Sequence, residues 1–171
     1  VSHSVVGVWH NSLVVPVANA LAMLKSDRAW VIHGADGMDE ITIAGETNVV
    51  EVVGSQTRQF KLTPKDFGLK AGPTAKLKAQ TAKESAAIIR DILASKRRDE
   101  ARSMVVMNAA AALVVGGVAK DPLHAARLAE QRAPDERCAR RRRDSRRRWA
   151  RDRERRGDGR RADPRVPRAA R

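Results

Sequence analysis

The sequence predicts an α/β fold, a mixed and mostly parallel sheet with flanking helices, followed by an arginine-rich tail that stands outside the fold. Two observations carry the first part of that reading. Val5-Val6-Gly7-Val8-Trp9 and Trp30-Val31-Ile32 are short apolar runs of the kind that strands buried on both faces show, and a stretch of helical period separates them. Strand, helix and strand within so short a span form a βαβ unit, which implies parallel pairing through a right-handed crossover. The third observation is charge. Residues 132–171 hold 18 of the 34 basic residues against 7 of the 20 acidic ones, so +11 of the net +14 belongs to the tail and only +3 to residues 1–131.

Element by element, the first strand precedes Asn11, a candidate helix cap. Leu13, Val17, Leu21 and Leu24 recur at three- and four-residue spacing, and Pro16 lies near enough to the start to cost the helix little. After the strand at 30–32, the runs 47–53 and 58–62, joined by Gly54-Ser55-Gln56-Thr57, predict an antiparallel hairpin. Thr63-Pro64 through Gly68 is a turn, and residues 69–80 lack periodicity. Thr81 and Glu84 form a capping-box pair before Ala82, Ala86, Ile89 and Leu93, one face of a helix. A second helix spans 100–115 and stops at Gly116-Gly117, and a third starts at Asp121-Pro122 and runs to Gln131. The helix around Asn108 is apolar on every side from 104 to 115 and is expected to be central and buried. Four strands and four helices are too few to cover such a sheet, so the body is expected to expose an apolar face.

Cys138 is the only cysteine, which excludes an intramolecular disulfide and fits a reducing compartment. No signal-peptide pattern opens the chain, and its longest apolar run, 104–115 interrupted by Asn108, is well short of the roughly 20 residues a membrane span needs. The expectation is a soluble, cytoplasmic protein with no membrane partner.

Chemistry is expected in His33-Gly34-Ala35-Asp36-Gly37-Met38-Asp39-Glu40, directly after the second strand, because ligands in open α/β sheets bind beyond the carboxyl ends of strands. In a turn, adjacent carboxylates such as Asp39 and Glu40 can converge on one cation. One or two carboxylates plus substrate phosphate is a usual Mg²⁺ site, although most Asp-Glu pairs are merely solvated loop charges. His33 is read as a strand-end histidine held by backbone hydrogen bonds, Asn108 as a side chain tying down neighbouring backbone, and Gly116-Gly117 as a helix end. None of these three is assigned to the site.

These residues also carry a resemblance. Trp30-Val31-Ile32-His33-Gly34 followed by Asp36-Gly37-Met38-Asp39-Glu40-Ile41 resembles a segment of the anthranilate phosphoribosyltransferases, in which an apolar-Val-His-Gly run precedes Asp-Gly-Leu-Asp-Glu. Val6-Gly7-Val8, the Thr63-Pro64 to Gly68-Leu69 turn and Asn108-Ala109-Ala110-Ala111-Ala112-Leu113 match further family segments in the same order. The resemblance covers about 130 residues, and several ordered matches make chance improbable. It implies that residues 1–131 are the incomplete C-terminal part of the family's α/β domain. It also implies transfer of phosphoribosyl from phosphoribosyl pyrophosphate to anthranilate in tryptophan biosynthesis, with Asp39 and Glu40 holding Mg²⁺ on the diphosphate, and homodimerisation through an N-terminal region.

The family's glycine-rich phosphate loop, its Lys-His-Gly-Asn-Arg motif and its anthranilate-binding arginine find no match here, so the fragment alone is expected to be inactive. Where the family shows Gly-Gly-Asp-Ala before a helix, this chain has Lys78-Ala79-Gln80-Thr81-Ala82. From Arg132 onward the basic residues are all arginine, whereas the body uses nine lysines and seven arginines, a switch that out-of-frame reading of a GC-rich gene would produce. The tail is therefore expected to be disordered or a detached helix. Two alternatives remain: a nucleoside-processing enzyme of the same fold, against which loop 33–40 argues, and a basic nucleic-acid-binding protein. The latter would use the arginines at 140–143 and 146–148 with Trp149, and the weak basicity of the body argues against it.

Overall fold

A computed structural model describes residues 2–131, with the side chain of Lys76 left aside. Strand β1 (His3–Gly7) leads through a 3-10 turn at Asn11–Leu13 into helix α1 (Val14–Met23), and β2 (Arg28–Gly34) follows. Strands β3 (Thr47–Val53) and β4 (Gln56–Leu62) form a hairpin, and helices α2 (Ala82–Leu93), α3 (Glu100–Val115) and α4 (Pro122–Gln131) complete the fold. The expectations for residues 132–171 lie outside the described residues.

The sheet has the order β1-β2-β3-β4 and is mixed, as expected. β1 pairs parallel to β2, with Val5 beside Trp30, which is the βαβ unit read from the sequence. The other two pairings are antiparallel, so the parallel share of the sheet is smaller than expected. The cause is the connection 35–46: it holds no helix and cannot carry the chain back along the sheet, so β3 must return antiparallel.

Period-2 alternation sorts the core into two clusters. Ala29, Val31, Val50 and Val52 point to one face and pack with Val8, Val14 and Ala18 from α1. Trp30, Ile32 and Val49 point to the other and pack with Met107, Ala110, Ala111 and Val114 from α3, together with Phe67 and, from α4, Ala125. Burying these side chains at about 25 cal/mol per Å² of apolar surface is the main stabilising term.

Several boundaries differ from the sequence reading. β1 starts and ends two residues earlier than the apolar run, and Trp9 is exposed, although the Val8 N–H still donates to the Ile32 carbonyl. The strand follows its partner's register, and its side chains are half-buried because it lies at the edge of the sheet. Asn11 does not cap the first helix. Leu13 stands at the N-cap of α1 without a side-chain bond, and His10 caps the preceding 3-10 turn, its Nδ1 accepting from the Ser12 N–H, while Asn11 Oδ1 accepts from Asn48 Nδ2. The hairpin turn is Gly54-Ser55 alone, since Gln56 already pairs with Val53. The capping box of α2 is present, and α3 closes on Gly117 at φ +70°, where the Val118 N–H reaches the Leu113 carbonyl.

One buried charge organises the α3 face of the sheet. Glu51, 6% exposed, accepts from the Trp30 indole N–H at 3.1 Å, from Arg28 at 2.9 and 2.7 Å, and from Arg58 at 2.8 Å. Arg28 also donates to the Val114 carbonyl at 2.8 Å, tying the network to the last turn of α3. Burial by itself would push the Glu51 carboxyl up, but the hydrogen bonds from Trp30, Arg28 and Arg58 outweigh it and hold the group below its ordinary value. Because the folded value lies below the unfolded one of about 4.3, the stabilisation is fully present above that pH and is lost as pH falls through the lower folded value. Glu51→Gln should therefore cost roughly 2 kcal/mol at neutral pH, and its acid-unfolding curve should lack the wild-type component below about pH 4.3. Urea titrations of both proteins across that range check both points.

Candidate functional site

The connection from β2 to β3 is anchored at nearly every residue that faces inward. Gly34 N–H donates to the Met38 carbonyl at 2.8 Å, and Ala35 N–H to the Glu46 carbonyl at 2.8 Å. Ile41, Thr42 and Ile43 are completely buried. The Thr42 hydroxyl donates to Asp36 Oδ2 at 2.8 Å and accepts from the Ala44 N–H, while Thr42 N–H donates to Thr47 Oγ1. Asp36 is thereby spent on the loop's own structure. Asp39 and Glu40 remain exposed, and among the described residues neither carboxylate makes an ion pair or a hydrogen bond. They stand next to each other beyond the carboxyl end of β2, where the sequence placed them, in a bend rather than on a strand.

Both line an open groove of roughly 750 Å³. Its walls are apolar: Met38 beside the pair, Ile88, Ile89 and Ile92 from α2, and Met104 and Val105 from α3. α2 buries no residue, and Ile89, Leu93 and Val105 are exposed, so the apolar face expected from the sequence is present. α3 is buried along one side only, a correction to the reading that it is enclosed all round: Val105, Ala109 and Ala112 form an exposed stripe along it.

His33 is buried at the end of β2, and its Nδ1 lies 2.8 Å from the Val8 carbonyl. A carbonyl can only accept, so Nδ1 carries the proton, and the ring serves as a brace between β2 and the segment after β1. Asn108 holds backbone as expected, and its partner is the loop itself. Oδ1 accepts from Ile41 N–H at 3.0 Å, and Nδ2 donates to the Ile41 and Met104 carbonyls, each at 3.0 Å. Gly7 is a position the sequence reading missed. A Cβ built on it would stand 1.5 Å from the Asp39 carbonyl oxygen, so the loop lies directly against β1 there. No local signal marks that contact, because it joins residues 32 positions apart.

Comparison with known proteins bears on the same segment. The glycosyl transferase family, a/b domain, matches residues 1–134. The chain belongs to that family. An anthranilate phosphoribosyltransferase of Methylocella silvestris is 40% identical over 139 residues, 81% of this chain and 40% of the relative. The crystal structure of the Thermus thermophilus anthranilate phosphoribosyltransferase is 33% identical with a TM-score of 0.65, covering 73% of this chain and 36% of that one. The Saccharomyces cerevisiae enzyme in complex with PRPP and Mg shares the fold at 23% identity, with a TM-score of 0.69, covering 77% and 38%. The chain thus spans about two fifths of the length of the curated relatives it matches. Among the described residues no helix is long and apolar enough to cross a membrane, and no group of three or more His, Cys, Asp and Glu gathers that could hold a metal ion.

An exposed apolar groove of this kind binds amphipathic dyes. Ile89→Lys should lower the fluorescence of a bound anilinonaphthalene dye while shifting the unfolding free energy by no more than ~0.5 kcal/mol, since the side chain is half exposed. Dye titration alongside a denaturant melt reads both quantities.

Proposed function

We propose that this chain is part of an anthranilate phosphoribosyltransferase of the cytoplasm, in which Asp39 and Glu40 hold Mg²⁺ on the diphosphate of phosphoribosyl pyrophosphate. The carrying observation is the pair itself: two exposed carboxylates without partners among the described residues, adjacent on an anchored loop that lines a groove. Identity of about 40% to enzymes of that name supports the choice of activity.

The donor set fits the metal. Mg²⁺ takes hard oxygen ligands, keeps several waters, and is commonly held by one or two carboxylates together with substrate phosphates, so a pair without a third protein ligand suffices. When bound, the ion would offset the negative charge that builds on pyrophosphate as the anomeric C–O bond breaks. The contribution of this chain is orientation. The bend sets both residues in the lining of the groove, and the buried Ile41, Thr42 and Ile43 that follow anchor the loop in the core. No basic side chain among the described residues lines the groove, so partners for the rest of the diphosphate charge and for the anthranilate carboxylate come from outside these residues. For that reason we read residues 2–131 alone as inactive.

The test is a full-length chimera in which residues 2–131 replace the matching segment of the Thermus thermophilus enzyme. Replacing Asp39 and Glu40 together by Ala should cut turnover by ~100-fold or more and flatten its dependence on Mg²⁺, the loss expected when a major electrostatic contact to the developing charge is removed. Turnover that keeps its magnesium dependence would defeat the assignment.

A further inference from the structure

The side chain of Asn108 makes an unusual choice of partners for a residue in the middle of a helix. Instead of turning to solvent, it closes a two-bond ring on the backbone of one residue, Ile41, accepting from its N–H and donating to its carbonyl, both at 3.0 Å. An amide can do both at once, because it carries an acceptor oxygen and a donor nitrogen on one carbon. A third bond, from Nδ2 to the Met104 carbonyl one turn back at 3.0 Å, fixes the amide's own orientation. Ile41 directly follows Glu40. On the other side of the pair the Asp39 carbonyl lies against Gly7, where no side chain can stand. The backbone is therefore held against β1 at 39 and by α3 at 41, while the carboxylates of Asp39 and Glu40 are left exposed and Asn108 lines the same groove.

We propose that Asn108, acting with the missing side chain of Gly7, is the positioning residue that aims Asp39 and Glu40 together into the groove so that both can reach one divalent cation. The inference rests on the reading of that pair as a cation site. The cost of converging two like charges is met by holding the backbone rather than by pairing the carboxylates with a base, which leaves them available for the metal. It also makes α3 part of the site although α3 supplies no carboxylate to the groove. Val105 and Ala109 wall the groove, and Asn108, between them in sequence, sets the loop.

The test uses the 171-residue chain, with Mn²⁺ as the probe and the free-ion electron paramagnetic resonance signal as the readout. Wild type should bind Mn²⁺, and Asp39→Ala with Glu40→Ala should abolish that binding. If wild type and the double variant bind alike, the cation-site reading fails and the positioning role fails with it. If they differ, Asn108→Ala should raise the Mn²⁺ dissociation constant by at least about fivefold and speed hydrogen exchange of the Ile41 amide, while amides of β2 and β3 remain protected. Asn108→Asp keeps an acceptor for the Ile41 N–H and should recover part of the affinity. Val115→Ala, which removes core packing from the same helix, should leave the Mn²⁺ constant unchanged, and this separates positioning from general loss of stability. Gly7→Ala provides a second route, since it must push the Asp39 backbone away, and it should weaken Mn²⁺ binding even if Asn108→Ala fails to fold. Undiminished Mn²⁺ affinity in Asn108→Ala with a freely exchanging Ile41 amide would overturn the proposal, as would undiminished affinity in Gly7→Ala.

Discussion

Glu51 is the group on which the α3 side of the molecule depends. A carboxylate this buried is tolerable only if its oxygens are filled by donors, and here four donor contacts from Trp30, Arg28 and Arg58 fill them. The donors come from β2 and β4, on either side of the strand that carries Glu51, so the charge holds three strands in register. Arg28 extends the reach of the network to α3 by donating to the Val114 carbonyl, which also accepts from the Gly117 N–H at 3.0 Å and lies in the last turn of the helix, a favourable place for positive charge. Phe60 closes the other side, edge-on to Trp30 at 5.5 Å between ring centroids and beneath the Arg58 guanidinium.

Anchoring α3 at Val114 has a consequence at its middle. Asn108 lies six residues earlier, about 9 Å along the axis, and so reaches the loop after β2 at a set height. The helix is pinned at two points, by Arg28 from the sheet and by Ile41 from the loop, and the acidic pair takes its position from both. Stability and site geometry therefore share one element. Of the apolar stripe that α3 keeps exposed, Val105 and Ala109 line the groove, together with Ile88, Ile89 and Ile92 of α2.

The antiparallel return of β3 also shapes the site. Because the connection 35–46 contains no helix, it stays at one end of the sheet and folds over its own backbone, with Ile41 and Ile43 in the core and Thr42 bonded to Asp36 and Thr47 between them. Asp36, Asp39 and Glu40 are close in sequence but serve different ends, since the first is bound to Thr42 while the other two face solvent without a partner among the described residues.

Local sequence sufficed wherever the physics was local. The alternation of Val31 and Ile32, the three- and four-residue spacing from Leu13 to Leu24, the Thr81–Glu84 capping box and the Gly116-Gly117 stop each act over a few residues, and the elements they predict are present. The carboxylates of Asp39 and Glu40 were legible too, because a loop after a buried strand has one place to go. Where an edge strand ends was not legible, since β1 takes its limits from the register of β2. Nor was the direction of β3, or which carbonyl Arg28 would find. Asn108 and Ile41 stand 67 positions apart, and Gly7 and Asp39 32, so their contacts exist only once strands and helix have packed. Sequence by itself determined most of the elements, the family and the place of the acidic pair after β2. Tertiary structure alone decided how that pair is held, because the hydrogen bonds and close approaches that hold it join segments brought together only by burial of the common core.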